Sequence, residues 1–370
     1  MFLKKIIKYS MFLTFCLFSP ILYILIKLIR PFKIVRIIPL MSERYGHFVI
    51  NPEFYLLEKL NDKKNKNYVD IFYTSRLGIC NKEILKLWKK KLTILPHYIL
   101  EPLDRLIKKI EKNNNVHTIN YFGFKNRCTK DIYQKFPPSI SLDHEQKNQC
   151  IKILSKFDID FYNIKYVCLF NRDDAYLNSG KKKKNWYYLS HHNYKISSFE
   201  LAAKKLSSND IMLFRMGAKV EEAFDLGDPN IVDYANSPFR SELMDIFLAT
   251  YCSFGISCGT GSCHVAYLNR KPMVDLNANL HHLYTYNKNS ILLSKHYFLK
   301  DKKRNLNLSE ILSYKENDLR RREQLDEKGI QMIDCTPKEI SDAVDEIFLR
   351  LNGKWIDNDL YLSDIEAENI

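Results

Sequence analysis

The sequence predicts an α/β protein built from two Rossmann-like domains behind one hydrophobic amino-terminal helix. Three observations carry this. Short apolar runs alternate with charged, helix-periodic stretches from residue 34 onward, the signature of strand–helix units around parallel sheets. The segment from Asp245 to Asn277 reads as a helix end, a buried strand, a Gly-Thr-Gly-Ser turn, a short helix and a second strand, which is half of a doubly wound sheet. An uncharged apolar run, Tyr9 to Ile26, precedes both. A length of 370 residues suits two domains, 46% hydrophobic content supplies their cores, and 11 glycines leave little for low-complexity linkers. The expected divisions are an anchor helix over 1–33, a first domain over 34–162, a second over 163–352 and a tail over 353–370.

The Tyr9–Ile26 run stands between Lys4, Lys5, Lys8 and Lys27, Arg30, Lys33, Arg36. About 18 residues is the lower limit for crossing a bilayer. No small-residue cleavage site follows it, so a removed signal peptide is not expected. Basic residues on both flanks leave the orientation open. The reading is a cytoplasmic-side anchor on the inner membrane, either a short span kinked at Pro20 or a helix lying in the interface. A buried helix of a soluble protein is the alternative.

In the first domain, strands are predicted at Ile34–Ile38, Val69–Thr74 and Leu92–Leu95. Helices are predicted at Asn51–Asn61, with Pro52 in its first turn, at Asn81–Lys90 and at Pro102–Lys112. The loop Met41–Phe48 after the first strand then falls at the carboxyl edge of the sheet. His47 and Glu43 in it are candidate bases near neutral pH, with a structural histidine as the simpler reading of His47. Asp143–Phe157 reads as a helix.

In the second domain, Tyr166–Phe170 is a buried strand followed by Asn171-Arg172-Asp173-Asp174. Arg172 can clamp a phosphate and Asp173 can support it or take a hydroxyl; a solvated turn is the plainer reading. Phe199–Leu206 reads as a helix. Ile211–Phe214 is the next strand, and Arg215 with Gly217 behind it suits an anion approached closely by backbone. Ile231–Ala235 is a short strand, and Ser237-Pro238 is expected to cap a helix over Phe239–Thr250. Tyr251–Ser257 is a strand, Gly259-Thr260-Gly261-Ser262 turns into a helix over Cys263–Leu268, and Pro272–Leu276 is a strand ended by Asn277. Unpaired N–H groups and two hydroxyls at that turn make an anion site. The G-x-x-x-x-G-K-[ST] pattern is missing, which disfavours ATPase chemistry. Leu308–Tyr314 and Asn317–Lys328 read as helices. Thr336-Pro337-Lys338-Glu339 opens a last helix to Leu351 with a capping box.

A net charge of +14 favours anionic partners. No arginine-rich tail, zinc-finger spacing or aromatic RNA-binding motif accompanies it, so nucleic acid is not expected. The nine cysteines are odd in number and lack a C-x-x-C pair, which suits free thiols in a reducing compartment. Asp158-Ile159-Asp160 and Asp357-Asn358-Asp359 match a D-x-D metal pattern no better than chance, and no metal or other cofactor is expected.

The stretches RYGHF at 44–48, CLFNRDDAYL at 168–177, FRMG at 214–217, VDYANSPFRSELMDIFL at 232–248 and CTPKEISDAVDEIFLRLNGKW at 335–355 resemble a family of bacterial glycosyltransferases found with surface-polysaccharide genes. The resemblance covers roughly 35–355 and is strongest over 165–280. It implies the GT-B-type arrangement, two Rossmann-like domains facing each other across a cleft, with the donor bound mainly by the carboxyl-terminal half. The function it implies is transfer of a sugar from a nucleotide-diphosphate sugar to a cell-surface glycan or lipid-linked acceptor at the inner face of the membrane. Arg172, Asp173, Arg215, Gly217, Gly259, Thr260, Gly261, Ser262 and Asn277 would then hold the donor, with Glu43 or His47 as base. A tight acidic sugar-ring motif near Asn277, present in some two-domain transferases, is missing here. The alternative is a membrane-associated binding or scaffold protein with a transferase-like fold.

Overall fold

The computed structural model describes residues 2–61, 67–112, 116–118, 130–175, 190, 192–276, 287–315, 318–319 and 321–356. Asn277, the lysine run at 181–184, His191, the loop 279–286 and the acidic triplet at 357–359 lie outside the described residues. The chain divides into two compact units, Met1–His144 and Glu145–Ile370.

The first unit begins with helix α1 (Phe2–Ile29). Strands β1 (Ile34–Pro39), β2 (Tyr68–Tyr73) and β3 (Thr93–Leu95) form a parallel sheet in that order, and Thr118 bridges Ile37 on the free side of β1. Helices α2 (Tyr45–Asn61), α3 (Lys82–Lys89) and α4 (His97–Glu111) connect or follow the strands, and α5 (Lys130–Lys135) packs on α2. The expected strands are in place, but α2 starts well before Asn51 and takes in half of the expected loop. Pro52 therefore sits inside the helix, where it removes an N–H and leaves the Phe48 carbonyl, four residues back, without its helical donor. The indole of fully buried Trp88 on α3 supplies one: its Nε1–H donates to Phe48 O at 2.9 Å. A side chain from a neighbouring helix thus satisfies the break, and the sequence of α2 alone gives no sign of it. Asn81 caps α3 by accepting from Ile84 N–H.

The second unit opens with α6 (His144–Ser155), whose buried Cys150 lies near Tyr166 and Tyr251. That packing draws the helix out of the first domain, so the division falls earlier than residue 162. Strands β4 (Lys165–Phe170), β5 (Ile211–Arg215) and β6 (Ile231–Val232) are followed by β7 (Phe254–Ser257), β8 (Met273–Leu276) and β9 (Ile291–Leu293). All six are parallel, in the order β6-β5-β4-β7-β8-β9. Relabelled from the first strand of the unit, this is 3-2-1-4-5-6, the doubly wound dinucleotide-type order. Both faces are covered. Val167, Leu169, Leu213 and Ile256 pack with α7 (Glu200–Ser207) and with the final helix, α12 (Pro337–Leu351), in one core. Helix α8 (Glu242–Tyr251) and the short α9 (His264–Leu268) complete the winding. The capping box at Thr336 is present, with Glu339 N–H donating to Thr336 Oγ1.

Three local expectations need correction. The cap of α8 is Ser241, which accepts from Met244 N–H; residues Tyr234–Asn236 instead form a 3₁₀ turn closed by the Ser237 hydroxyl. The Tyr251–Ser257 run splits, because α8 continues through Tyr251 and β7 begins only at Phe254. A small antiparallel sheet went unread: β10 (His296–Leu299), flanked by β11 (Arg304–Asn305) and β12 (Ile330–Ile333), closes over α10 (Leu308–Ser313) and α11 (Arg322–Glu327) with its own core around Leu325.

Candidate functional site

The strand order reverses between β4 and β7, and open α/β sheets bind ligands outside the carboxyl ends of the strands at that place. Phe170 and Ser257 end the two strands in register. The segments leaving them are stitched together. Arg172 N–H donates to Cys258 Sγ at 2.9 Å, and the Arg172 guanidinium reaches Gly259 O at 3.5 Å. Arg172 and the Gly259–Ser262 turn, far apart in sequence, are therefore neighbours at the switch point.

The turn is built for its conformation. Gly259 has φ +78°, the left-handed region that a side chain strains. Thr260 and Ser262 share a hydrogen bond at 3.2 Å, and the Cys263 thiol, buried, donates back to Thr260 O. A 3₁₀ turn over Gly261–Cys263 then runs into α9, which is only five residues long. The expected helix-dipole contribution is correspondingly small; what the turn offers an anion is hydroxyl groups and backbone N–H groups.

One layer below lies Asp275 on β8, in register with Ser257 and 9% exposed. Tyr267 OH donates to its carboxylate. Burial pushes the carboxyl up to about 7, against the smaller downward pull of the Tyr267 hydrogen bond. Burial, and then the same carboxylate, hold the neighbouring Cys263 thiol well above its ordinary value. Sequence reading passed over Asp275 because it sits mid-strand in MVDL; a lone acid in an otherwise buried strand was the available signal.

On the other side of β4, Arg215 is 1% exposed at the end of β5. Its Nη1 donates to Asp233 at 3.1 Å, its Nη2 lies 3.8 Å from Asp173, and its Nε has no hydrogen-bond partner. Asp233 also accepts from Phe224 N–H and Asn236 Nδ2. Asp173 accepts from the backbone of Ala175 and Glu221. Arg215 and Asp173 thus belong to one ion network rather than standing as two independent phosphate ligands. Gly217 has a packing reason: a Cβ there would meet Val220 Cγ1 at 2.7 Å and Ala235 Cβ at 3.2 Å.

A cavity of about 180 Å³ opens beside this network, far above the about 10–15 Å³ that admits one water. Asn171, Asp173, Asn193, Arg215, Glu221 and Asp334 are among its lining residues. Asn193 Oδ1 and Arg215 Nε, on two of the lining residues, are buried without a hydrogen-bond partner. Burial, then Asp173 and Asp174, raise the Glu221 carboxyl above its ordinary range. The lining carries four carboxylates, Asp173, Glu221, Glu222 and Asp334, against Lys195 and Arg215.

In the first unit, Glu43 lies in the turn between β1 and α2, at the carboxyl edge of the sheet. Its Oε2 is buried and has no hydrogen-bond partner. The turn is fixed by Ser42, fully buried, whose Oγ donates to Gly78 O at 2.6 Å and accepts from Ser75 N–H at 2.9 Å. His47 is not in that loop; it lies in the first turn of α2. Among the described residues no group of three or more His, Cys, Asp or Glu gathers as a metal site. The eight described cysteines are free thiols.

No family model and no curated protein matches the chain. Among solved structures it is similar to the ADP-heptose lipopolysaccharide heptosyltransferase II of E. coli, at 11% identity and TM-score 0.46, covering 85% of this chain and 99% of that one. It is also similar to a glycosyl transferase family 9 protein of Veillonella parvula, at 11% identity and TM-score 0.46, covering 86% and 98%. The iron-containing dodecameric glycosyltransferase TibC of enterotoxigenic E. coli matches at 14% identity and TM-score 0.42, covering 86% and 76%. Likeness at this level leaves function to be argued from this chain's own residues.

Proposed function

We propose that the chain is a glycosyltransferase that moves a sugar from a nucleotide-diphosphate sugar to a surface glycan or lipid-linked acceptor at the inner face of the membrane. The observation that carries the reading is the switch point of the six-stranded sheet, where Arg172 and the Gly259–Ser262 turn meet at adjacent strand ends. Arg172, the Thr260 and Ser262 hydroxyls and backbone N–H groups receive the diphosphate. The acidic cavity beside Arg215 takes hydroxyl groups of the donor.

Glu43 is the base in preference to His47, because its buried Oε2 lacks a partner while His47 is held in α2. In the reaction, the acceptor hydroxyl gives its proton to Glu43. Its oxygen bonds to the anomeric carbon as the bond to the diphosphate oxygen breaks, and the electron pair leaves on the diphosphate. Direct displacement inverts the anomeric centre, and protein cations and N–H groups, without a metal, stabilise the departing charge.

The test is a thermal-shift screen of nucleotide-diphosphate sugars on the full chain, followed by Arg172→Ala with the best ligand. Binding raises Tm by mass action. A stabilising nucleotide whose affinity falls at least tenfold in Arg172→Ala is expected. A panel in which no nucleotide shifts Tm would favour the scaffold alternative.

A further inference from the structure

Helices α1 and α4 lie side by side and run in the same direction. Phe12 of α1 sits 5.9 Å from the Arg105 guanidinium, while Tyr23 and Lys27, further along, reach Glu111 at 3.3 and 3.0 Å. Leu22, Tyr23 and Ile26 pack with Leu100, Leu103 and Ile107 in one core. Away from α4, Leu13, Leu17, Ile21, Ile24 and Leu28 are between 48% and 79% exposed. Their spacing of three and four residues makes one continuous apolar stripe along the helix. Within Ile6–Ile29 the apolar 18-residue window has a mean hydropathy of 2.2, and 11% of it is buried. The chain has no acidic residue before Glu43, and Lys8, Arg30 and Lys33 are exposed around the helix ends.

We propose that α1 lies in the plane of an anionic lipid surface, its exposed stripe among the acyl chains and its opposite face clamped to the first unit by α4. A crossing orientation conflicts with the packing. The 28 residues of α1 would reach across the about 30 Å hydrocarbon core, but α4 runs alongside and carries Glu101, Asp104, Arg105 and Lys108. A crossing would either drag those charges into hydrocarbon or strip α1 from its core contacts and from Glu111. Charge selects lipid over a second copy of the chain, since paired copies would bring the same unopposed lysines and arginines together. This inference deepens the membrane location in the proposed function, and its test is separate from the transferase chemistry because it concerns lipid binding without donor or acceptor.

The experiment uses the full chain with vesicles of phosphatidylglycerol and phosphatidylcholine. The double substitution Leu17→Asp/Ile21→Asp, at exposed positions, is expected to weaken vesicle partitioning at least tenfold with Tm unchanged. Separate Leu13→Trp, Ile21→Trp and Leu28→Trp variants are then read with lipids brominated at different acyl depths, over the parent chain's own signal. An in-plane helix gives the same shallow optimum at all three positions. A depth that changes steadily from 13 to 28 would establish a crossing helix and overturn the proposal. So would failure to bind vesicles together with a dimer that Leu17→Asp/Ile21→Asp dissociates.

Discussion

Asp275→Asn isolates the titration of one buried carboxyl beneath the proposed diphosphate turn. The carboxyl is pushed from 3.8 in the unfolded chain up to about 7 in the fold, chiefly by burial. A raised acid binds its proton more tightly when folded, so its stabilisation is complete below the unfolded value and is lost as pH rises through about 7. Three pH units at about 1.4 kcal/mol each give roughly 4 kcal/mol for the whole span. Roughly 2–3 kcal/mol of that falls between pH 5 and pH 8. The assay is urea unfolding of the parent and the variant at pH 5, 6, 7 and 8. The difference between the two curves removes every other titrating group, and the parent should lose roughly 2–3 kcal/mol more than the variant across that window. Curves that stay parallel would refute the reasoning, because an Asp275 ionised in the fold at pH 5 cannot produce the divergence. A linked effect is expected on ligand affinity: a negative charge appearing under Gly259–Ser262 above about pH 7 weakens anion binding in the parent and not in Asp275→Asn.

Two further outcomes test the roles assigned above. Glu43→Gln should lower kcat by roughly 100- to 10,000-fold, the range for losing a general base, with nucleotide affinity unchanged, while His47→Ala stays within a few-fold; the reverse pattern in steady-state kinetics would exchange the two residues. Arg215→Met should cost about 3–5 kcal/mol by leaving Asp233 and Asp173 without their cation, and adding Asp233→Asn should recover part of it. Equal stability of the single and double variants in denaturant unfolding would show that Arg215 is not held by Asp233.

What could be read in advance follows physical locality. YVCLF at 166–170 announces a strand because both faces are buried and every side chain is apolar. The Thr336 capping box is legible because the cap and its Glu339 partner lie within one turn. Arg172 and the glycine turn were each visible as residues past a buried strand, but the strand order that makes them neighbours is set by pairings across the sheet. The same limit explains Arg215. Its composition said phosphate clamp; its principal partner, Asp233, arrives only after a loop and on another strand's end. At α2, local rules placed Pro52 in the first turn, and only the Trp88 indole on another helix makes an earlier start possible. The β10–β12 sheet escaped because its strands are two to four residues long and mixed in polarity.

The pairing of Arg215 bears on where the proposed diphosphate would go. A phosphate in the cavity beside Arg215 would face Asp173, Glu221, Glu222 and Asp334 against Lys195, while Arg215 already serves Asp233 and Lys295 pairs Asp334. Each close like-charge pair costs about 4 kcal/mol at 4 Å and an effective dielectric of 20, and the carboxylates of the lining outnumber its cations. A hydroxyl-rich ring carries no such penalty. On the β4–β7 side the balance reverses, with the Arg172 guanidinium at Gly259 and a buried carboxyl that stays protonated below about pH 7. On the proposed reading, a nucleotide sugar would lie along the sheet edge with its phosphates toward β7 and its hydroxyls toward β5.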